Sequence, residues 1–257
     1  MNATVTSALD WLVAHRGWPA QWPENSLSGM RAVLEAGARF VELDVHLSRD
    51  GCPVVVHDED LRRVSGTRQR VNRLDADALA QVVIGEATRF GDRFPEERLP
   101  RLTDMLQLLA EWPEVTVFVE LKRASMRRFG RPALIESVLK ALKGHANPCV
   151  MISFDHTAVE MARSRGAERI GWVFKPWNES ARVEAARLKP DYLFVRQDRI
   201  PEGERPFWPG SWQWVVYGVN ELRLALTLRQ RGAHLIETDC LPELARAWME
   251  AEGGERV

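Results

Sequence analysis

The chain has little of what would mark a secreted, membrane-bound or nucleic-acid protein. Only three of its 257 residues are cysteines: Cys52, Cys149 and Cys240. The number is odd and none forms a C-x-x-C pair, so reduced thiols in a cytoplasmic protein are expected. No run of about 18 apolar residues occurs, so no membrane span is expected. The first residues, MNATVTSALDWLVAHRG, lack a basic stretch followed by an apolar one, which argues against a secretion signal. An excess of positive charge is missing too: the formal net charge is −1. That argues against a nucleic-acid partner but leaves room for a local basic pocket facing an anionic small molecule. No G-x-G-x-x-G follows the first strand and no Walker A motif is present, so the familiar nucleotide-phosphate loops are absent. There is no internal repeat and no low-complexity tract.

What is present is alternation. Short β-rich runs at 11–14, 39–47, 115–121, 149–153, 170–174, 191–195, 213–217 and 234–238 are separated by amphipathic stretches. In NSLSGMRAVLEAG (25–37), Leu27, Met30, Val33 and Leu34 fall at helical spacing, Asn25 is a candidate cap and Gly37 a stop. Further helices are expected at 101–112, 132–144, 155–166, 178–188, 220–232 and 242–252, with Asn220 another candidate cap. The link 196–212 is poorer and is expected to hold a short or irregular helix. A composition 45% hydrophobic and 28% charged can bury a substantial core. Eight strands alternating with helices in this length predict an α/β fold, a single (β/α)8 TIM barrel spanning 1–257.

Two places break the pattern. VELDVHL (41–47) and PVVVHD (53–58) lie too close for a parallel crossover, so 39–57 is expected as a hairpin with Asp50-Gly51 as a two-residue turn. If Arg49 then pairs with Cys52, His57 lies opposite Asp44. Residues 58–100 are rich in Arg, Asp and Gly, with a weak helical patch at 75–84. A loop of that length without structure is unusual, so a small inserted segment capping the barrel is expected.

Chemistry-bearing residues collect at predicted strand ends, where barrels carry their sites. Glu42 and Asp44 share one face of a strand, and Glu120 ends VTVFVELK (115–122). Buried carboxylates that converge need a cation or protons, and three with open positions suit Mg²⁺ or Ca²⁺. His15 and His57 stand beside them as a candidate acid–base pair. Arg16 and Lys122 could grip a phosphate or pair with the acids. His46 is expected in packing, and His145, His156 and His234 as structural. Of the ten tryptophans, most are expected in packing. Some of Trp18, Trp22, Trp172 and Trp177 could wall an anion pocket.

HRG (15–17), PENS (23–26), E-L-D (42–44), DG-x-P-VVVHD (50–58), LPRLTDML (99–106), ELK (120–122), SF (153–154), YGVN (217–220) and TD (238–239) together resemble the glycerophosphodiester phosphodiesterase family. The likeness runs from about residue 10 to 245. It implies a TIM barrel with an insertion after the second strand and a divalent metal on Glu42, Asp44 and Glu120. It implies His15 and His57 as acid and base, with Arg16 and Lys122 on the phosphate. The implied reaction releases glycerol 3-phosphate and an alcohol from a small-molecule glycerophosphodiester. Departures are Ser26 and Gly218, where the family often has Thr, the ending TDCLPEL, and Leu74–Leu79 in place of a T-x-x-E-L run. Two alternatives stand beside this reading. One is a lipid phosphodiesterase of the lysophospholipase D or sphingomyelinase D type. The other is a non-catalytic phosphoglycerol-binding module.

Overall fold

The computed structural model describes residues 7–203 and 206–254. Nine strands form one sheet: β1 Leu12–His15, β2 Phe40–Leu47, β3 Pro53–Val55, β4 Thr116–Leu121, β5 Cys149–Ser153, β6 Arg169–Phe174, β7 Tyr192–Arg196, β8 Gln213–Tyr217 and β9 Leu235–Thr238. All except β3 run parallel, and pairing of β1 with both β9 and β2 closes them into an eight-stranded barrel. All eight expected barrel strands are present within a residue or two of their predicted bounds.

Inside the barrel the packing is aromatic. The Phe118 ring meets Tyr192 and Phe194 edge-on, at 4.9 and 5.2 Å between centroids, and lies alongside Phe40. Gly171 makes room for this arrangement. A Cβ there would lie 2.8 Å from Ile152 Cγ2 and 3.1 Å from the Phe194 ring.

The helices follow the predicted spacing. In Leu27–Glu35, Met30, Val33 and Leu34 face the core. The cap, however, is Ser26 rather than Asn25: its hydroxyl accepts from Gly29 N at 3.0 Å. Arg123–Phe129 is a further helix that the sequence reading did not foresee. The link 196–212 holds only the 3₁₀ turn Gln197–Arg199 among its described residues. Against the outside of β6–β8 an aromatic cluster packs instead. Trp177 lies 4.4 Å from Trp208 and 5.3 Å from Trp214, and Phe207 lies 4.9 Å from Trp214. Indole rings thus fill a slot that a helix would otherwise cover.

The hairpin differs from expectation by one residue. Ser48, not Arg49, bonds Cys52, its N–H donating to Cys52 O at 3.0 Å. The loop is therefore three residues long, Arg49 to Gly51, closed by Gly51 in the left-handed region at φ 80°. Val45 pairs with Val55, and Val56 N donates to Asp44 O. Val56, not His57, is thus opposite Asp44. The chain has left the ladder before His57, so strand alternation does not set that side chain's direction.

Residues 58–100 contain three single-turn helices, Arg62–Ser65, Ala76–Leu79 and Ala87–Phe90. Leu61, Val64, Val71, Leu79, Ile84 and Leu99 form their own apolar cluster together with Val54 and Val56 of the hairpin. That shared cluster fastens the segment to the mouth of the barrel. No described helix is long and apolar enough to cross a membrane.

Gly171→Ala should overpack the barrel interior, since Ile152 Cγ2 and the Phe194 ring cannot both retreat. We expect a loss of about 1–3 kcal/mol in urea unfolding. An unchanged midpoint would show that the interior has slack.

Candidate active site

Strand register brings the acids together. His15 is the partner of Glu42 between β1 and β2, and Asp44 is the partner of Glu120 between β2 and β4. One ligand-type atom each from Glu42, Asp44 and Glu120 lie within 4.8 Å of one another, and so do those from His15, Glu42 and Glu237. Glu42 belongs to both groups.

The charges in this cluster are unequally balanced. Asp44 is buried, yet its Oδ2 accepts from Asn25 Nδ2 at 2.8 Å and lies 3.0 Å from Arg16 Nε, while its Oδ1 accepts from Lys122 Nζ at 3.1 Å. Burial alone would raise its pKa, but Arg16 and Lys122 hold it well below the usual carboxylate range. Lys122 also donates to Glu120 at 3.0 Å. Glu42 and Glu237 have no such donors. Each is buried and keeps an Oε2 without a hydrogen-bond partner among the described residues. Burial, then the neighbouring Asp44 and Glu237 charges, pushes Glu42 well above its ordinary value. Burial lifts Glu237 to about 7 despite the nearby His15 and Arg16. Two buried carboxylates with orphaned oxygens, beside two that are partly satisfied, are a donor set suited to a hard cation.

Each histidine is backed by an aspartate. His15 Nδ1 lies 2.7 Å from Asp239 Oδ1, and His57 Nδ1 lies 2.7 Å from Asp58 Oδ1. A carboxylate at this distance accepts from Nδ1–H, which leaves Nε2 of each ring for proton transfer. His15 Nε2 stands 3.7 Å from Glu237 and 4.0 Å from Glu42. Asp239 is itself held by Asn220, whose Nδ2 donates to its Oδ2 at 3.1 Å and whose Oδ1 accepts from its backbone N–H at 2.9 Å. Burial opposes ionisation of Asp239, but the bond from His15 keeps it down at about 2. The bond from His57 likewise lowers Asp58.

An ion-pair chain links the two flanks. Arg16, held at φ 55°, contacts Asp44 and reaches the buried Glu24 at 3.3 Å. Arg63 of the inserted segment clamps Glu24 with two bonds of 2.6 and 2.7 Å and donates to Asp58 at 2.8 Å. His46 lies beneath, buried, accepting from Ser125 Oγ and donating to His57 O at 3.0 Å. Burial drives it down to about 4, consistent with a packing role. His15, Arg16, Glu42, His57, Glu120 and Glu237 all line one cavity of about 400 Å³ at the barrel mouth.

The sequence model of the glycerophosphoryl diester phosphodiesterase family matches residues 15–241, a span holding every one of these groups. The chain belongs to that family. A glycerophosphodiester phosphodiesterase of Caldanaerobacter subterraneus subsp. tengcongensis is 29% identical over 199 residues, covering 74% of this chain and 78% of that one. One from Bacillus altitudinis is 31% identical over 45% of this chain and 46% of its own. An Oleispira antarctica phosphodiesterase, solved with the product sn-glycerol-3-phosphate, superposes with a TM-score of 0.82 at 22% identity. That match covers 93% of this chain and 96% of the other.

In this phosphodiesterase family member, all seven residues singled out from the sequence converge on the barrel mouth. Lys122 and Arg16 are engaged with the acids, as one of the two readings of them expected. No described tryptophan lines this cavity, in keeping with the expectation that most of them pack; Ile152, Phe154, Val173 and Phe194 supply the apolar surface. Asn25 and Asn220 were passed over as caps, yet both bond site carboxylates. The signal for Asn25 was its neighbour: of Asn25 and Ser26, only one can cap. Glu237 was missed outright. An acid in the apolar run HLIET, two residues before Asp239, was its signal.

The folded-state pKa of Glu237 lies above its unfolded value near 4.5. The folded chain therefore holds a proton that the unfolded chain releases, and stability is lost as pH rises from about 4.5 through 7. Glu42 acts in the same direction. In chelator, Glu237→Gln should match the parent in thermal midpoint near pH 4 and exceed it at pH 8. A parent advantage at pH 8 would overturn this.

Proposed function

We propose that the chain hydrolyses glycerophosphodiesters to glycerol 3-phosphate and an alcohol, using a divalent ion and two histidines. The observation that carries this is the pairing of two aspartate-backed imidazoles with a cluster of buried carboxylates in one cavity. The sn-glycerol-3-phosphate held by the Oleispira antarctica phosphodiesterase supports the substrate class.

Glu42, Asp44 and Glu120 would hold the ion, Mg²⁺ or Ca²⁺, and Glu42 brings an oxygen with no hydrogen-bond partner among the described residues. When bound, the ion supplies Lewis-acid polarisation of a phosphoryl oxygen and an anchor for a glycerol hydroxyl. Asn25, Arg16 and Lys122 keep Asp44 ionised and aimed. Arg16, on the cavity wall, also offsets charge that develops on the phosphoryl oxygens, and Lys122 does so from beside Glu120.

His15 acts as the base, accepting at Nε2 a proton from the nucleophile, which is water, or the substrate's own 2-hydroxyl, in which case the cyclic phosphate formed is opened by water in a second step that returns a proton to the 2-oxygen. Asp239 fixes the ring for this and offsets the positive charge that forms. His57, protonated at Nε2, passes that proton to the leaving alkoxide oxygen. Asp58 and Arg63 hold it in place. Arg63 comes from the inserted segment, which we read as part of the same domain and as one wall of the site.

His15→Ala and His57→Ala should each lower kcat by roughly 10²-fold or more, with unchanged unfolding curves. Near-normal turnover in either variant would remove that histidine from the mechanism. Chelation should abolish activity, and Mg²⁺, Ca²⁺ or Mn²⁺ should restore it. The restoring ion should also raise the thermal midpoint more at pH 8 than at pH 5.5, because it displaces protons from Glu42. Full activity in chelator, with no ion detected by elemental analysis, would exclude the metal.

A further inference from the structure

The cavity has two electrical halves. Its acids and His15 come from β1, β2, β4 and β9, and His57 from the turn after β3. The facing wall, at the ends of β6 and β7, presents Lys175, Arg196 and Arg199. Arg123, at the start of the helix after β4, adds a fourth cation beside them. Its guanidinium lies 5.4 Å from the centre of the Phe154 ring, and Lys175 Nζ lies 5.5 Å from the same centre.

These cations are poorly compensated. Most arginines of this chain face a carboxylate, but among the described residues neither Arg123 nor Lys175 has one within ion-pair distance. Arg196 and Arg199 share a single oxygen of Asp198, at 3.5 and 3.6 Å. Among the described residues, Lys175, Arg196 and Arg199 thus line this side of the cavity with Arg123 beside them, and the ion pairs they make are those with Asp198. Like charges gathered at a pocket mouth repel one another unless an anion joins them.

We propose that this wall is a subsite for the leaving alcohol, and that the favoured alcohol carries an anionic group such as a phosphomonoester. The inference rests on the reading above, in which the glycerol hydroxyls lie at the carboxylates and the phosphodiester lies between His15 and His57. The alcohol then extends along Phe154 towards Lys175 and Arg199. A cationic head group such as choline would need carboxylates or an open aromatic face there. The wall offers one shared carboxylate, and its Phe154 ring already carries two cations. The cations would also draw in any substrate through the phosphodiester charge. That charge is common to all glycerophosphodiesters, so a ranking among head groups isolates the subsite.

The test compares kcat/KM for glycerophosphoinositol 4-phosphate, glycerophosphoinositol and glycerophosphocholine with the metal-loaded enzyme, at low and at physiological salt. The phosphorylated ester should lead and the choline ester trail, by about tenfold or more between them, mostly in KM. Tenfold is about 1.4 kcal/mol, within reach of three or four partly exposed ion pairs. Salt should compress it. Lys175→Gln and Arg199→Gln should each reduce the ratio, the double variant should flatten it, and Lys175→Arg should keep it. A flat or choline-first ranking among esters that are all hydrolysed overturns the subsite and leaves the proposed reaction standing. An unchanged ranking in the folded double variant also overturns the subsite. Failure to hydrolyse any of the three overturns both readings.

Discussion

Crowding of like charge at one rim of the barrel is the constraint around which this molecule is arranged. Glu42, Asp44, Glu120 and Glu237 converge because the register of β1, β2, β4 and β9 leaves them no other place. Water cannot relieve them, since three of the four are buried. The protein answers with cations that are themselves committed: Arg16 and Lys122 are nearly enclosed and spend their charge on Asp44. Glu42 and Glu237 are left short of donors, and that shortfall is what makes the site receptive. A fully satisfied network would be more stable and chemically idle.

The inserted segment is tied to the same rim. Its apolar cluster anchors on Val54 and Val56 of the hairpin, and its Arg63 reaches back to Glu24 and Asp58. Through these bonds the orientation of His57 depends on the packing of the segment 58–100. The His15 flank is secured differently. Asp239 follows β9 directly and Asn220 lies in the turn just after β8, so the barrel itself is the support. One imidazole is thus held by the frame and the other by an accessory piece.

Polarity across the cavity completes the arrangement. Carboxylates and imidazoles on one side, guanidinium and ammonium groups on the other, and an apolar floor of Ile152, Val173 and Phe194 between them make a trough of two opposite electrical sides. The aromatic cluster of Trp177, Phe207, Trp208 and Trp214 has no part in that trough. It packs against the outer face of the barrel beside β8, where the described residues of the link from β7 hold only a 3₁₀ turn.

Much of this was legible in the residues alone. Hydrophobic alternation marked all eight barrel strands, because a buried parallel strand must read as an apolar run. E-L-D, HRG and the Glu120 strand end marked the site, because acids in apolar strands are too costly to lie there without purpose. What the sequence could not decide was anything that depends on a neighbour distant along the chain. The hairpin register was off by one because the turn geometry, closed by Gly51, admits a three-residue loop as readily as a two-residue one. Asn25 and Asn220 read as caps because local spacing cannot reveal a carboxylate 19 residues away. Glu237 became a member of the cluster only when β9 closed against β1, which is a property of the closed barrel and of no local segment.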